Sequence, residues 1–144
     1  MKKLALYFAA ACLVFSFFCQ GVSAQPSKDY LFNMLDILVD ETLMAYNSDD
    51  YIKFYEYFAK KMEPVTAEQH FRAVYSNGYK KDLGDFISRK ILLEKSSLDP
   101  DFPLLVYEAE FKNYKKVYVT VNFLKEYGNY RISRMEMDKI YNEE

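Results

Sequence analysis

Residues 104–138, LLVYEAEFKNYKKVYVTVNFLKEYGNYRISRMEMD, decide the fold class. Apolar and polar residues alternate through most of this stretch. Leu105, Tyr107, Ala109 and Phe111 fall on one side of a first strand (104–112), with Glu108 and Glu110 on the other, because side chains in a strand alternate between faces. Asn113 to Lys115 turns the chain. Val117, Val119, Val121 and Phe123 line one face of a second strand. Tyr127-Gly128-Asn129 turns it again, and residues 130–138 read as a third strand with Ile132 and Arg134 on one face. Connections this short join antiparallel neighbours.

Working toward the N-terminus, Phe86 to Lys95 reads as a further strand, and Ser96 to Pro103 as a loop. Before Gly84 the period changes to that of a helix. Ser27 is placed to cap a helix running from Lys28 to about Tyr46. Leu31, Leu35, Leu38, Thr42 and Ala45 form its inner stripe, widened by Met34, Ile37 and Leu43. Asn47 to Asp50 is a break. A second helix places Tyr51, Phe54, Tyr55, Phe58, Ala59 and Met62 on one face and ends at Glu63-Pro64, since a proline disfavours helix in the residue before it. Thr66 and Gln69 form a capping-box pattern for a third helix that turns Phe71, Val74 and Tyr75 inward and stops at Asn77-Gly78. Three helices followed by four antiparallel strands predict an α+β domain with the helices on one face of the sheet.

The first 24 residues, MKKLALYFAAACLVFSFFCQGVSA, have the layout of a secretory signal peptide. Lys2 and Lys3 form a basic start, Leu4 to Phe18 an apolar core, and Val22-Ser23-Ala24 a small-residue cleavage site. The expectation is an exported chain, periplasmic or extracellular, with a single domain over 25–144. Cys12 and Cys19 both fall in the leader, so the processed chain has no thiol nucleophile, disulfide or cysteine metal site. A lipobox ending at Cys19 is the alternative; Phe18 is bulkier than the small residue such a box takes, and Val22-Ser23-Ala24 fits the ordinary peptidase better. Losing Lys2 and Lys3 leaves 17 basic residues against 21 acidic ones, a net charge of −4, which argues against nucleic acid or anionic lipid as partner.

The element order resembles that of the small exported proteins of the nuclear transport factor 2-like superfamily, which share a cystatin-like fold. The resemblance covers about 29–140. It rests on the paired N-terminal helices with NSDDYIKFYEY (47–57), the bend at Gly84-Asp85-Phe86, and the three closing strands. It implies a curved four-stranded antiparallel sheet wrapped around the helices as a cone with an apolar mouth, and a homodimer through the sheet. Catalytic members place an acidic base deep in that cone, and no motif carries such a residue over to this chain.

The residues themselves offer little catalytic chemistry. His70 is the only histidine, so neither a His-rich metal site nor HExxH is present, and there is no GxSxG elbow or phosphate-cradling glycine loop. No catalytic residue, metal ligand or cofactor is assigned. Glu108 and Glu110 read as a solvent face, and Lys80, Lys81, Lys112, Lys115 and Lys116 as solvated turn ends. Aromatic residues are the richer signal, with 13 Tyr and 8 Phe after residue 24. Rings that present a hydroxyl suit an amphipathic cleft. Tyr51, Tyr55, Phe58, Tyr75 and Tyr107 are the candidate binding residues for a small apolar or amphipathic ligand. The resulting expectation is a non-enzymatic binding or interaction module. A lyase or isomerase working in the cone is the alternative, and an inhibitor-like or envelope-structural protein a third reading.

Overall fold

The computed structural model describes residues 27–62 and 66–140. The leader, both cysteines and the Glu63-Pro64 stop lie outside the described residues, as does the side chain of Met62. Helix α1 spans Lys28–Asn47, with the Ser27 hydroxyl accepting from the Tyr30 amide at 3.2 Å. Helix α2 is short, Tyr51–Glu56, capped by Asp50. A third helix, α3, starts as α at Ala67–His70, widens to a π-helix over Phe71–Lys80 and returns to α at Lys81–Leu83. Strands β1 (Phe86–Ile91), β2 (Leu104–Phe111), β3 (Val117–Glu126) and β4 (Asn129–Lys139) follow.

All neighbouring strands are antiparallel and lie in the order β1-β2-β3-β4. The alternating faces of β2 and β3 are as their pattern predicts. Leu105, Tyr107, Ala109, Phe111, Val117, Val119, Val121 and Phe123 are all buried against the helices. The cone is not formed. The first and last strands do not pair with each other, and the sheet stays open and uncurled. Alternation dictates which side chains share a face, but it does not dictate curvature. The space a cone would enclose is filled by Tyr46, Phe54, Phe71, Tyr107 and Phe111, all essentially without exposure.

Three further expectations change. Helix α2 stops before Phe58, because Tyr57 and Phe58 leave the helix to bond the edge of β4. The Ile132 amide donates to the Tyr57 carbonyl at 2.8 Å, and the Ala59 amide to the Ile132 carbonyl at 2.8 Å. Phe58 remains buried, stacked on Phe54 with ring centres 5.4 Å apart. In β4, a bulge shifts the register between Asn122↔Arg134 and Phe123↔Ile132. The extra residue reverses the faces, so Ile132, Met135 and Met137 point inward while Arg134 points out. Strand β1 ends at Ile91, four residues earlier than its composition predicts, and a 3-10 turn at Leu93–Lys95 follows.

Helix α3 runs through Gly78, where the sequence predicts a stop. An i→i+5 ladder puts residues four and five apart on one face. Phe71 and Tyr75 therefore face the core, while Val74, three residues from Phe71, is exposed. Gly78 suits this spiral, since a Cβ there would meet the Ala73 carbonyl oxygen at 3.2 Å.

Two polar clusters fix α1 on the sheet. At its C-terminal end, Lys80 Nζ donates to the Asn47 carbonyl at 2.6 Å and pairs with Asp49 at 2.7 Å, placing a cation where the helix dipole favours one. The Asn47 side-chain amide bonds both the N–H (2.7 Å) and the C=O (2.9 Å) of Phe86, occupying the start of edge strand β1. Midway along α1, Arg89 of β1 forms an ion pair with Asp36 and reaches Asp40 at 3.2 Å. Its guanidinium lies 4.7 Å from the centre of the Tyr107 ring, whose hydroxyl donates to Asp36 at 2.8 Å. Burial works against the charge of Arg89, yet the Asp36 hydrogen bond and neighbouring charges hold its pKa above the ordinary value.

Candidate functional site: a surface groove and the outer face of helix α1

The five candidate binding residues separate into two groups. Tyr51 and Tyr55 line a shallow groove of about 270 Å³ on the outside of the helical layer, together with Ile52, Glu56, Lys60 and Ala67. The Tyr55 hydroxyl lies 2.6 Å from His70 Nδ1, so the single imidazole sits beside this groove. Phe58, Tyr75 and Tyr107 are not part of it and are buried. Tyr75 donates to the Met135 carbonyl at 3.3 Å and Tyr107 to Asp36 at 2.8 Å. Burial pushes both phenols far above their ordinary pKa, with the Asp36 hydrogen bond adding to the effect at Tyr107. They remain neutral donors that satisfy buried acceptors.

The ligand cone expected from the sequence is thus replaced by a filled core under an open sheet. Its aromatic residues pack on one another: Phe54 meets Tyr75 at 4.3 Å and Phe71 at 5.0 Å between ring centres. The open sheet does not form the cone, so neither the small-ligand reading nor the lyase or isomerase alternative has the cone cavity it was built on. Among the described residues, no group of three or more His, Cys, Asp or Glu side chains converges as a metal site. No helix among them is long and apolar enough to cross a membrane.

A different surface stands out on α1. The helix has an inner stripe of Leu31, Leu35, Val39, Thr42, Leu43 and Tyr46, all buried. It also has an outer stripe that the sheet does not cover. Tyr30, Ile37 and Met44 are 63%, 61% and 54% exposed, and Met34, between the first two, is half-buried, with part of its side chain packed on the core and part on this face. Sequence reasoning counts Ile37 and Met34 as a widening of the inner stripe, whereas the structure turns Ile37 to solvent. With Glu41, these residues run 30, 34, 37, 41, 44, alternating steps of four and three. That is the spacing of a coiled-coil seam. Asp29, Asp36 and Asp40 lie along one side of it, and Lys28 is the only cation in the helix. The Arg89–Asp36–Tyr107 cluster holds α1 in this rotation, since Asp36 must face β1 for the pair to form.

No protein-family model matches the chain, and no curated protein or solved structure matches it at a significant level.

Proposed function

We propose that this chain is a protein-docking domain whose recognition surface is the outer face of α1. One observation carries the reading: a helix packed on a sheet by one apolar stripe carries a second, at seam spacing and in solvent. Ordinary surface helices are polar on the side away from the core. Isolated exposed apolar residues need no explanation, but a row of them aligned at seam spacing and broken only by Glu41 points to a partner surface. An amphipathic helix laid along this row would bury Tyr30, Ile37 and Met44 together with the open side of Met34, the helix-against-helix mode of recognition. Because residues 1–24 read as a leader, the reading places that partner beyond the export step.

Photo-crosslinking tests the proposal. A photoreactive side chain is introduced in turn at positions 37, 44 and 120, position 120 being on the outer face of β3. The expected result is a discrete adduct with one polypeptide from 37 and 44, and none from 120. Equal labelling at all three positions, or no adduct at any of them, would contradict it.

A further inference from the structure

We infer that the partner is a cationic amphipathic helix that sets a Lys or Arg against Glu41; this rests on the docking reading above and identifies its partner class. Glu41 is the one charged member of an otherwise apolar seam, and it has no hydrogen bond or ion pair among the described residues. A helix laid along 30–44 spans about 21 Å and covers Glu41 as it covers Ile37 and Met44. A buried carboxylate without a counter-charge is costly. A partner that seals the seam must therefore supply a cation at that step. One charged pair within an apolar seam also fixes register and direction.

The flank points the same way. Asp29 and Asp40 are exposed beside the seam, Asp40 keeping more than half its side chain accessible although it touches Arg89. Four carboxylates against one lysine make α1 an acidic helix. A partner with Lys or Arg along its facing edge would meet complementary charge, which speeds encounter and selects against acidic competitors.

A second copy of this chain fits less well. Paired parallel, Glu41 meets the other Glu41. Paired antiparallel about Ile37, Glu41 lies against Asn33 and Met34, and neither supplies a cation. Both arrangements leave the carboxylate uncompensated.

Two synthetic helices of about three heptads test the inference. Both carry a leucine seam. One has Lys opposite Glu41 and along its facing edge, and the other has Glu at the same places. Binding to the whole protein is followed by fluorescence anisotropy at low and high salt, with sedimentation in parallel. The lysine peptide is expected to bind at least about tenfold more tightly than the glutamate peptide. Its advantage should shrink as salt rises, and Glu41→Gln should cost it about tenfold or more. Equal binding of the two peptides, binding of neither, or indifference to Glu41→Gln overturns the inference. So does a concentration-dependent dimer that Ile37→Asp abolishes. That last result leaves the docking reading intact and removes only the cationic partner, whereas failure of the crosslinks at 37 and 44 removes the docking reading itself.

Discussion

The two faces of α1 have similar composition and opposite fates. Leu31, Leu35, Val39 and Leu43 are buried against the core, while Tyr30, Ile37 and Met44, one or two residues away in sequence, stand in water. Hydrophobicity does not separate them, because both rows follow helical spacing. What does separate them is the anchoring of Asp36 by Arg89 and Tyr107, together with the Lys80 and Asn47 bonds at the helix end. The comparison teaches that an apolar row seen in sequence says a surface will be covered, without saying by what. Here the chain's own sheet covers one row and leaves the other bare.

The strongest test of this difference is a pair of truncations. Leu35→Ala removes a fully buried side chain and is expected to cost about 2–5 kcal/mol in denaturant unfolding. Ile37→Ala, two residues on, should change stability by less than about 0.5 kcal/mol. Equal losses would mean the outer row is packed after all. The next effect concerns the anchor. Asp36→Ala leaves the guanidinium of Arg89 without its main partner, and Arg89 is only 12% exposed. Removal of one partner from a buried pair costs several kcal/mol; with Asp36 about a third exposed, a loss of about 1–3 kcal/mol is expected after allowance for solvent screening. Adding Arg89→Met should recover part of it, since an apolar side chain of similar length has no charge to strand. No recovery in the double variant would show that Asp36 acts through some other contact.

Much of the architecture is legible in the sequence, for a physical reason. In β2 and β3 a period of two fixes the buried face without help from the rest of the molecule, and all eight expected core positions in them are buried. Where a second segment must arrive before a residue's role is settled, the reading fails. Tyr57 and Phe58 fit a helix until β4 offers them its edge. Arg134 shares a face with Ile132 only if no residue is inserted, and the bulge in β4 inserts one. Arg89 and Asp36 lie 53 positions apart, so their pairing has no local signal. Of the candidate site, the sequence brings out Tyr51 and Tyr55, which do share the groove. It conceals the outer row of α1, because Met34 and Ile37 are equally good members of the inner one.

A smaller effect separates patterned from scattered exposure. Tyr127 is 96% exposed and sits at a positive φ of 50° in the β3–β4 turn. Bulky residues are disfavoured there, whereas Asn before Gly suits such a hairpin turn. Tyr127→Asn is expected to stabilise the fold by about 0.5–1 kcal/mol and to leave binding of the lysine peptide unchanged. A loss of binding would extend the recognition surface beyond α1.

The smallest expected effect is electrostatic, at the end of α1. Burial raises the pKa of Asp49, but hydrogen bonds from Lys80 and Ser76 and the Lys80 charge outweigh it and hold the carboxyl below its ordinary value of 3.8. The sign follows from linkage. The unfolded chain binds the proton more readily, so this contribution is fully present above about pH 4 and is lost as pH falls through the lowered folded value. Asp49→Asn keeps a residue that tolerates the positive φ of 54° at this position. It should be less stable than the parent by about 0.2–1 kcal/mol at neutral pH, with the gap closing in acid. A gap independent of pH would assign the effect to the backbone instead of the charge.

The most direct measurement combines stability and binding in one variant, Ile37→Asp. The account predicts unfolding within about 0.5 kcal/mol of the parent, because the side chain already faces water. It also predicts at least a tenfold loss of affinity for the lysine peptide, about 1.4 kcal/mol, because the seam is interrupted at its centre. A variant that melts several kcal/mol below the parent, or one that binds the peptide as the parent does, would contradict the claim that the outer face of α1 is both uncovered and used.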